Sequence, residues 1–269
     1  MKQIHILDPS LSMLQVSRGS CALAVMTKAP HAGRVKTRLV PPLTPEEAAE
    51  LSKCFLRDTV ATISNACSRC LADPAGSAVA TTRAKGIAVY TPVGAESVYA
   101  GILPPNFALL PQRGDKFGER LYFAVEDLFK CGFESVCLLD SDSPTVPAAN
   151  FEHATQVLTA PGDRVVLGPS EDGGYYLIGF TKPDRRLFEQ IDWSTERVLD
   201  QTIQRANEVG LEVTLLPTGY DVDDEASLRR LCSELLADTT SKDIAPCTRE
   251  FLAKLTAQKE FSAALRGSP

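Results

Sequence analysis

Four cations and a glycine share one short stretch, Lys28-Ala-Pro-His-Ala-Gly33-Arg34-Val-Lys36-Thr37-Arg38-Leu39, directly after an apolar run, Cys21–Met26, that reads as a strand. Backbone freed of a side chain at Gly33 can approach an anion closely, and Lys28, Arg34, Lys36 and Arg38 supply charge-assisted donors around it. Such a loop can hold a polyphosphate. A solvated basic loop ahead of a helix is the plain alternative. The polyphosphate is favoured by acids elsewhere: Asp140-Ser141-Asp142, Glu171-Asp172-Gly-Gly174 and Asp221-Val-Asp223-Asp224 each stand where an apolar run ends.

In extended chain, residues two apart face one side, so Asp140 and Asp142 can share a hard cation, or divide between a cation and a sugar hydroxyl. Magnesium or manganese is the expected cofactor, because these ions prefer oxygen and commonly bridge carboxylates to substrate phosphates. Turn chemistry is the rival, with Asp142 and Ser143 capping the bend before Pro144. Asp172 lies in a loop between two strands, where paired glycines permit a sharp turn or a close approach to a ligand; a plain hairpin explains the Asp-Gly equally well. In the third cluster one acid is expected to cap the helix 226–236, leaving Asp221 or Asp223 to complete a metal site.

Short apolar runs at about 21–27, 86–91, 107–110, 135–140, 163–168, 175–180 and 212–217 predict the strands that carry these loops, and helical spacing recurs between most of them. The helix after the basic loop has a clear start: Thr44 at the cap, Pro45 at the first turn and Glu47 three residues on form a capping box. Leu51, Phe55, Asp58 and Thr62 then share its inner face, and a carboxylate there either ties down a neighbouring backbone group or hydroxyl, the preferred reading, or meets a cation, for which Arg38 is the nearest candidate in sequence. The alternation predicts an α/β protein: a three-layer, Rossmann-like, mostly parallel sheet with helices on both faces, its ligands beyond the carboxyl ends of the strands. Residues 1–18 read as an N-terminal extension, 19–238 as the main domain, and 239–269 as a C-terminal helical extension.

The chain has 269 residues, 44% of them hydrophobic, with a formal net charge of -6, a balance that speaks against a general nucleic-acid surface. No apolar run approaches the roughly 20 residues that cross a bilayer, and the first twenty lack the apolar block of a signal peptide, so a cytoplasmic protein without a membrane partner is expected. Cys67-Ser-Arg-Cys70 lacks a second pair to complete a zinc site and reads as two free thiols near a helix end. There is no G-x-S-x-G elbow, Walker loop or G-x-G-x-x-G.

The motifs Lys28-x-Pro30-x-x-Gly33-x-Val35-Lys36-Thr37-Arg38-Leu39, Gly118-Glu119-Arg120-Leu121, Ser141-Asp142-Ser143-Pro144, Gly168-Pro-x-x-Asp172-Gly-Gly-Tyr-Tyr-Leu-Ile-Gly179, Trp193-Ser-Thr195 and Asp221-Val-Asp223, taken in order, resemble the glycosyltransferase-A-like family of selenodomain-associated transferases. The likeness covers about residues 20–236. More distantly the chain is similar to 2-phospho-L-lactate guanylyltransferase and the molybdenum-cofactor guanylyltransferases, which have the nucleotide-diphospho-sugar transferase fold. The resemblance implies a nucleotide site in which Thr37 and Ser141 join the basic residues, with Asp142 as the metal ligand matching the family's Ser-Asp-x-Pro acid. Relatives usually carry glycine where this chain has Asp140.

Three readings follow, of which the first is preferred because so many cations suit a triphosphate. In a nucleotidyltransferase, Lys36 and Arg38 hold a nucleoside triphosphate while a metal on Asp142, Asp223 and, if its turn allows, Asp140 offsets charge as a small phosphorylated acceptor attacks. In a glycosyltransferase the same groups hold the diphosphate of a nucleotide sugar, and Asp172 receives the acceptor's proton. The third is a nucleotide-binding module without turnover. A homo-oligomer is compatible with all three.

Overall fold

The strand that precedes the basic loop, β2 (Ser20–Lys28), is buried along nearly its whole length, the pattern of an interior strand covered on both faces. The computed structural model describes residues 4–11, 14–71, 83–237 and 239–257. In chain order, β1 (His5–Ile6) and β2 lead to α1 (Pro45–Leu71), β3 (Arg83–Thr91), a single turn α2 (Glu96–Tyr99), β4 (Ala108–Pro111), α3 (Phe117–Lys130), β5 (Ser135–Leu139) and α4 (Ala148–Thr159). The hairpin β6 (Arg164–Pro169) and β7 (Tyr175–Phe180) follows, then α5 (Val198–Glu208), β8 (Glu212–Leu215), α6 (Glu225–Leu235) and α7 (Pro246–Ala257).

The strands form one 8-stranded sheet in the order β1-β4-β3-β2-β5-β7-β6-β8. Only β7 runs against its neighbours; the other pairings are parallel. Side chains alternate across the sheet as strand geometry requires. Cys21, Leu23 and Val25 pack toward Leu56, Val60 and Phe151 of α1 and α4. Ala22 and Ala24 face Leu121, Val125 and Leu128 of α3. This is the three-layer, mostly parallel architecture that the alternation predicts, and no helix among the described residues is long and apolar enough to cross a membrane.

A third core lies outside the sheet, where Leu39, Phe55, Val222, Leu228 and Leu252 join the basic loop, α1, α6 and α7. The predicted capping box opens α1: the Thr44 hydroxyl accepts from the Glu47 amide at 3.2 Å, and a Glu47 carboxylate oxygen accepts from the Thr44 amide at 2.8 Å. Asp58 is buried on the inner face as its spacing implies, and it ties down backbone groups rather than meeting the cation. Its carboxylate accepts from the amides of Cys247 and Thr248, at 3.0 and 2.8 Å, and so caps the first turn of α7 from a different helix. Unpaired amides and the positive end of the helix dipole balance the carboxylate, and Arg38, the alternative partner, does not. The Arg38 side chain is 75% exposed and leans toward Asp223 instead.

The leading segment is less peripheral than its pattern suggests, since His5 and Ile6 pair with Ala108 and Leu109 at the sheet edge and Leu7 is buried. At the other end α7 packs through Leu252 and Leu255 on the third core. Phe261, an apolar residue of the predicted C-terminal helical extension, lies outside the described residues. Cys67 and Cys70 are free thiols at the end of α1. Burial pushes them up, to about 12 and about 11.

Candidate functional site

From β2 the sheet grows outward through β3 and β4, and the chain then returns to place β5 on β2's other side. The winding therefore reverses between β2 and β5, and open α/β sheets take ligands beyond the carboxyl ends at such a point. The basic loop leaves β2 there, and Asp140 to Asp142 leave β5.

The basic loop is held by backbone contacts, with the Ala29 amide donating to the Thr91 carbonyl at 2.8 Å and the Arg34 amide to the His31 carbonyl at 3.0 Å. Gly33 supplies a left-handed residue at φ 71°, which costs a glycine little. Lys36 is also left-handed, at φ 48° and ψ 39°, where a side chain costs about 1 to 2 kcal/mol. It leads a short 3-10 turn, Thr37–Leu39, whose Leu39 is buried in the third core. The strain is held by the far end of the same side chain. The Lys36 ammonium lies 2.9 Å from Asp142 Oδ1 and 2.8 Å from Asp223 Oδ1, and it donates to the Val222 carbonyl at 2.8 Å. All three of its protons are engaged. Its side chain is 5% exposed, and the Phe55 ring lies 5.5 Å away. Burial alone lowers a lysine's pKa, but the two carboxylates outweigh it and hold Lys36 above its ordinary value.

Asp142 and Asp223 stand on loops far apart in sequence. The Val222 amide donates to the Asp142 carbonyl at 3.0 Å and sews these loops together. Asp224 caps α6, accepting from the Ser227 amide at 2.8 Å, which leaves Asp223 free to face the crevice, as the third cluster's pattern anticipates. Asp140 is turned away from Lys36: it accepts from the Ser143 hydroxyl at 2.7 Å and the Asp142 amide at 3.4 Å. Burial, and then the charge of Asp142, push its carboxyl up to about 8. The turn thus splits the acids, with Asp142 on the lysine and Asp140 on the bend.

Asp172 closes the hairpin turn by accepting from the Gly174 amide at 2.9 Å. Gly173 beside it has φ 86°, and a Cβ there would fall 2.1 Å from the Glu196 carbonyl oxygen. That close approach lets the Leu199 amide donate to the Gly173 carbonyl at 2.8 Å, docking the start of α5 on the turn.

Two clefts meet at this point. The first, about 280 Å³, is lined by Lys28, Arg34, Lys36, Thr37, Arg38 and Ser141, together with Asp142 and Asp223. The second, about 520 Å³, shares Arg38, Asp142 and Asp223 and adds Asp140, Asp172, Asp221 and Glu196. Its other walls are apolar and aromatic, including Phe117, Leu121, Ile178 and Trp193. The Phe117 and Trp193 rings meet edge to face at 5.2 Å. Nearly all the residues singled out by sequence line one cleft or the other; Gly33 shapes the loop without lining either. Ser52 and Phe117 carried no signal, because their places depend on how α1 and α3 are set against the sheet. Asp221 had a signal, an acid two residues before Asp223. Burial, then the charges of Asp172 and Asp223, push it up to about 6.

The donor set suits a hard divalent ion. Asp142 and Asp223 already converge on one positive charge, the Lys36 ammonium. No group of three or more His, Cys, Asp or Glu residues that could hold a metal ion occurs among the described residues. Two carboxylates completed by substrate phosphates and water are a usual magnesium arrangement.

No curated protein matches the chain. Residues 75–195 match a family described as "Uncharacterized protein conserved in bacteria (DUF2064)". Among solved structures, the chain is similar to a candidate nucleotide-diphospho-sugar transferase from Desulfovibrio desulfuricans G20, at 26% identity and a TM-score of 0.74, over 91% of this chain and 98% of that one. A CMP:2-keto-3-deoxy-manno-octonic acid synthetase solved with CTP is similar at 15% identity and a TM-score of 0.46, over 80% and 97%. A cytidylyltransferase from Leptospira borgpetersenii serovar Hardjo-bovis stands at 11% and 0.45, over 90% and 96%. The chain has the nucleotide-diphospho-sugar transferase fold.

Proposed function

We propose that this protein is a divalent-metal-dependent transferase that binds a nucleotide by its polyphosphate in the basic cleft and presents the bond to be broken at Asp142 and Asp223, where the two clefts join. The observation that carries this reading is the shared wall: cations crowd one side of the Asp142 and Asp223 pair, carboxylates and aromatic rings the other. Lys28, Arg34 and Arg38 are exposed and reach phosphate oxygens, with the Thr37 and Ser141 hydroxyls beside them. Asp142 and Asp223 hold magnesium or manganese, and the ion supplies charge stabilisation to the phosphate oxygens.

The character of the second cleft favours glycosyl over nucleotidyl transfer. Its titratable lining is six carboxyl groups, of which Asp140 holds its proton up to about pH 8, and one cation, Arg38. A phosphorylated acceptor is repelled there, whereas a sugar offers hydroxyls to the carboxylates and an apolar face to Phe117 and Trp193. The similar Desulfovibrio desulfuricans protein, a candidate nucleotide-diphospho-sugar transferase, supports a nucleotide-linked substrate and leaves the choice between the two transfers to the cleft's chemistry. In this reaction the bond from the sugar's anomeric carbon to the diphosphate breaks, its electron pair leaves on the phosphate oxygen, and Lys36 and Arg38 meet the developing charge. The acceptor's lone pair forms the new bond, and its proton passes to Asp172 or Asp221, both of which face the cleft.

The test is thermal stabilisation by nucleoside triphosphates, nucleoside diphosphates and nucleotide sugars, each with magnesium or manganese. A nucleotide sugar is expected to raise Tm most, and Asp142→Asn is expected to remove the metal-dependent part while leaving the apo Tm within a few degrees. An Asp142→Asn protein with the wild-type metal-dependent shift would place the ion elsewhere. A stronger response to triphosphates would return the reaction to nucleotidyl transfer.

A further inference from the structure

Lys36 occupies the space between two carboxylates that a divalent ion needs. Its ammonium is within 2.9 Å of Asp142 Oδ1 and 2.8 Å of Asp223 Oδ1, and neither distance leaves room for a metal between those same atoms while the ammonium stays. Its side chain also lines the basic cleft, so a rotation about its flexible stem carries the charge from the carboxylates to the phosphates. What holds the resting position is the pair of carboxylates and one carbonyl, Val222 O.

We propose that Lys36 is a resident cation that closes the Asp142 and Asp223 pair until a divalent ion takes its place, and that the displaced ammonium then engages the nucleotide's phosphates. The proposal rests on the reading of Asp142 and Asp223 as the metal pair. Alone, the metal must displace a buried charge that has nowhere favourable to go, so it binds weakly. With polyphosphate in the basic cleft, the released ammonium gains new acceptors, so metal and nucleotide strengthen each other's binding, and by linkage the two effects are equal. Lys36 thereby orders the site: the carboxylates are never left facing one another without a cation.

The exchange of one cation for another between these carboxylates also explains why the residue is a lysine. A lysine ammonium is a compact point charge on a rotatable stem, able to leave one set of acceptors for another. An arginine fork would grip the carboxylates through several donors at once and yield less readily.

The test is manganese binding, by titration calorimetry or by the loss of the free-ion resonance, to the full chain without nucleotide. Lys36→Met removes the competing charge and keeps an unbranched apolar side chain in its place; it is expected to bind manganese at least about tenfold more tightly than wild type, the effect of one competing charge-assisted contact. Lys36→Arg retains the plug and is expected to remain as weak as wild type or weaker. Should Lys36→Met fold poorly, the ammonium itself reports in the wild-type chain. In nitrogen-labelled protein, the slowly exchanging Lys36 ammonium resonance is expected to move or vanish on adding magnesium. Equal or weaker manganese binding by Lys36→Met, or a magnesium titration that saturates with that resonance unmoved, overturns the proposal. The parent reading fails separately: an Asp142→Asn protein that binds manganese like wild type shows the ion is not at this pair, and both ideas fall.

Discussion

Asp140 shows how one residue's surroundings can reverse the meaning of a motif. Spacing alone offers Asp140 and Asp142 to the same ion, yet the turn gives Asp140 the Ser143 hydroxyl and leaves Asp142 to Lys36. With its folded pKa raised from 3.8 to about 8, Asp140 favours the fold fully below about pH 4, and that contribution is lost as pH rises to about 8. Asp140→Asn is therefore expected to gain on wild type across that window, by at most about 1.4 kcal/mol per pH unit. Urea unfolding at pH 5, 6.5 and 8 in chelator measures it, and parallel curves for the two proteins would mean that Asp140 is ionised throughout. The identities of the site residues were legible in the sequence because cations and acids sat at the ends of apolar runs. Their partnerships were not, since Lys36 and Asp223 are 187 residues apart and only the assembled fold brings them into contact.

At the scale of elements, the hairpin turn between β6 and β7 sets the far wall of the second cleft. Because Gly173 lets α5 approach, it also positions the Trp193 to Glu196 segment that runs into that helix. Gly173→Ala places a Cβ against the Glu196 backbone at positive φ, and a loss of stability of about 1 to 3 kcal/mol is expected. A second consequence is expected at the cleft: nucleotide-sugar binding should fall by more than binding of the corresponding diphosphate. Calorimetric affinities for both ligands decide this, and equal losses would confine the effect to stability. The strands from β2 to β8 were readable because each is a short apolar run between turn residues. The two-residue β1 was not, since so short a strand has no period to detect and exists only because the exposed edge of β4 accepts it.

The molecule as a whole is a sheet with a small annex. The sheet carries the crevice, but Leu39, three residues beyond Lys36, and Val222, directly before Asp223, are both buried in the third core with α6 and α7. That annex is fastened to α1 partly through Asp58, whose pattern announced a buried acid without naming the helix it would cap. Asp58→Ala is expected to cost about 1 to 3 kcal/mol, the penalty of leaving two amides without their acceptor. In a double-mutant cycle with Arg38→Ala the changes are expected to add within about 0.5 kcal/mol, and coupling beyond that would revive a link between the two. A protein so divided opens in parts, each with its own opening free energy. Asp58→Ala should therefore speed amide hydrogen exchange together in residues 37–43, 222–235 and 246–257, while amides of β2 and β5 keep their protection. In that partly open state the candidate crevice loses both its cationic and its anionic rim at once, though the sheet beneath it is still folded.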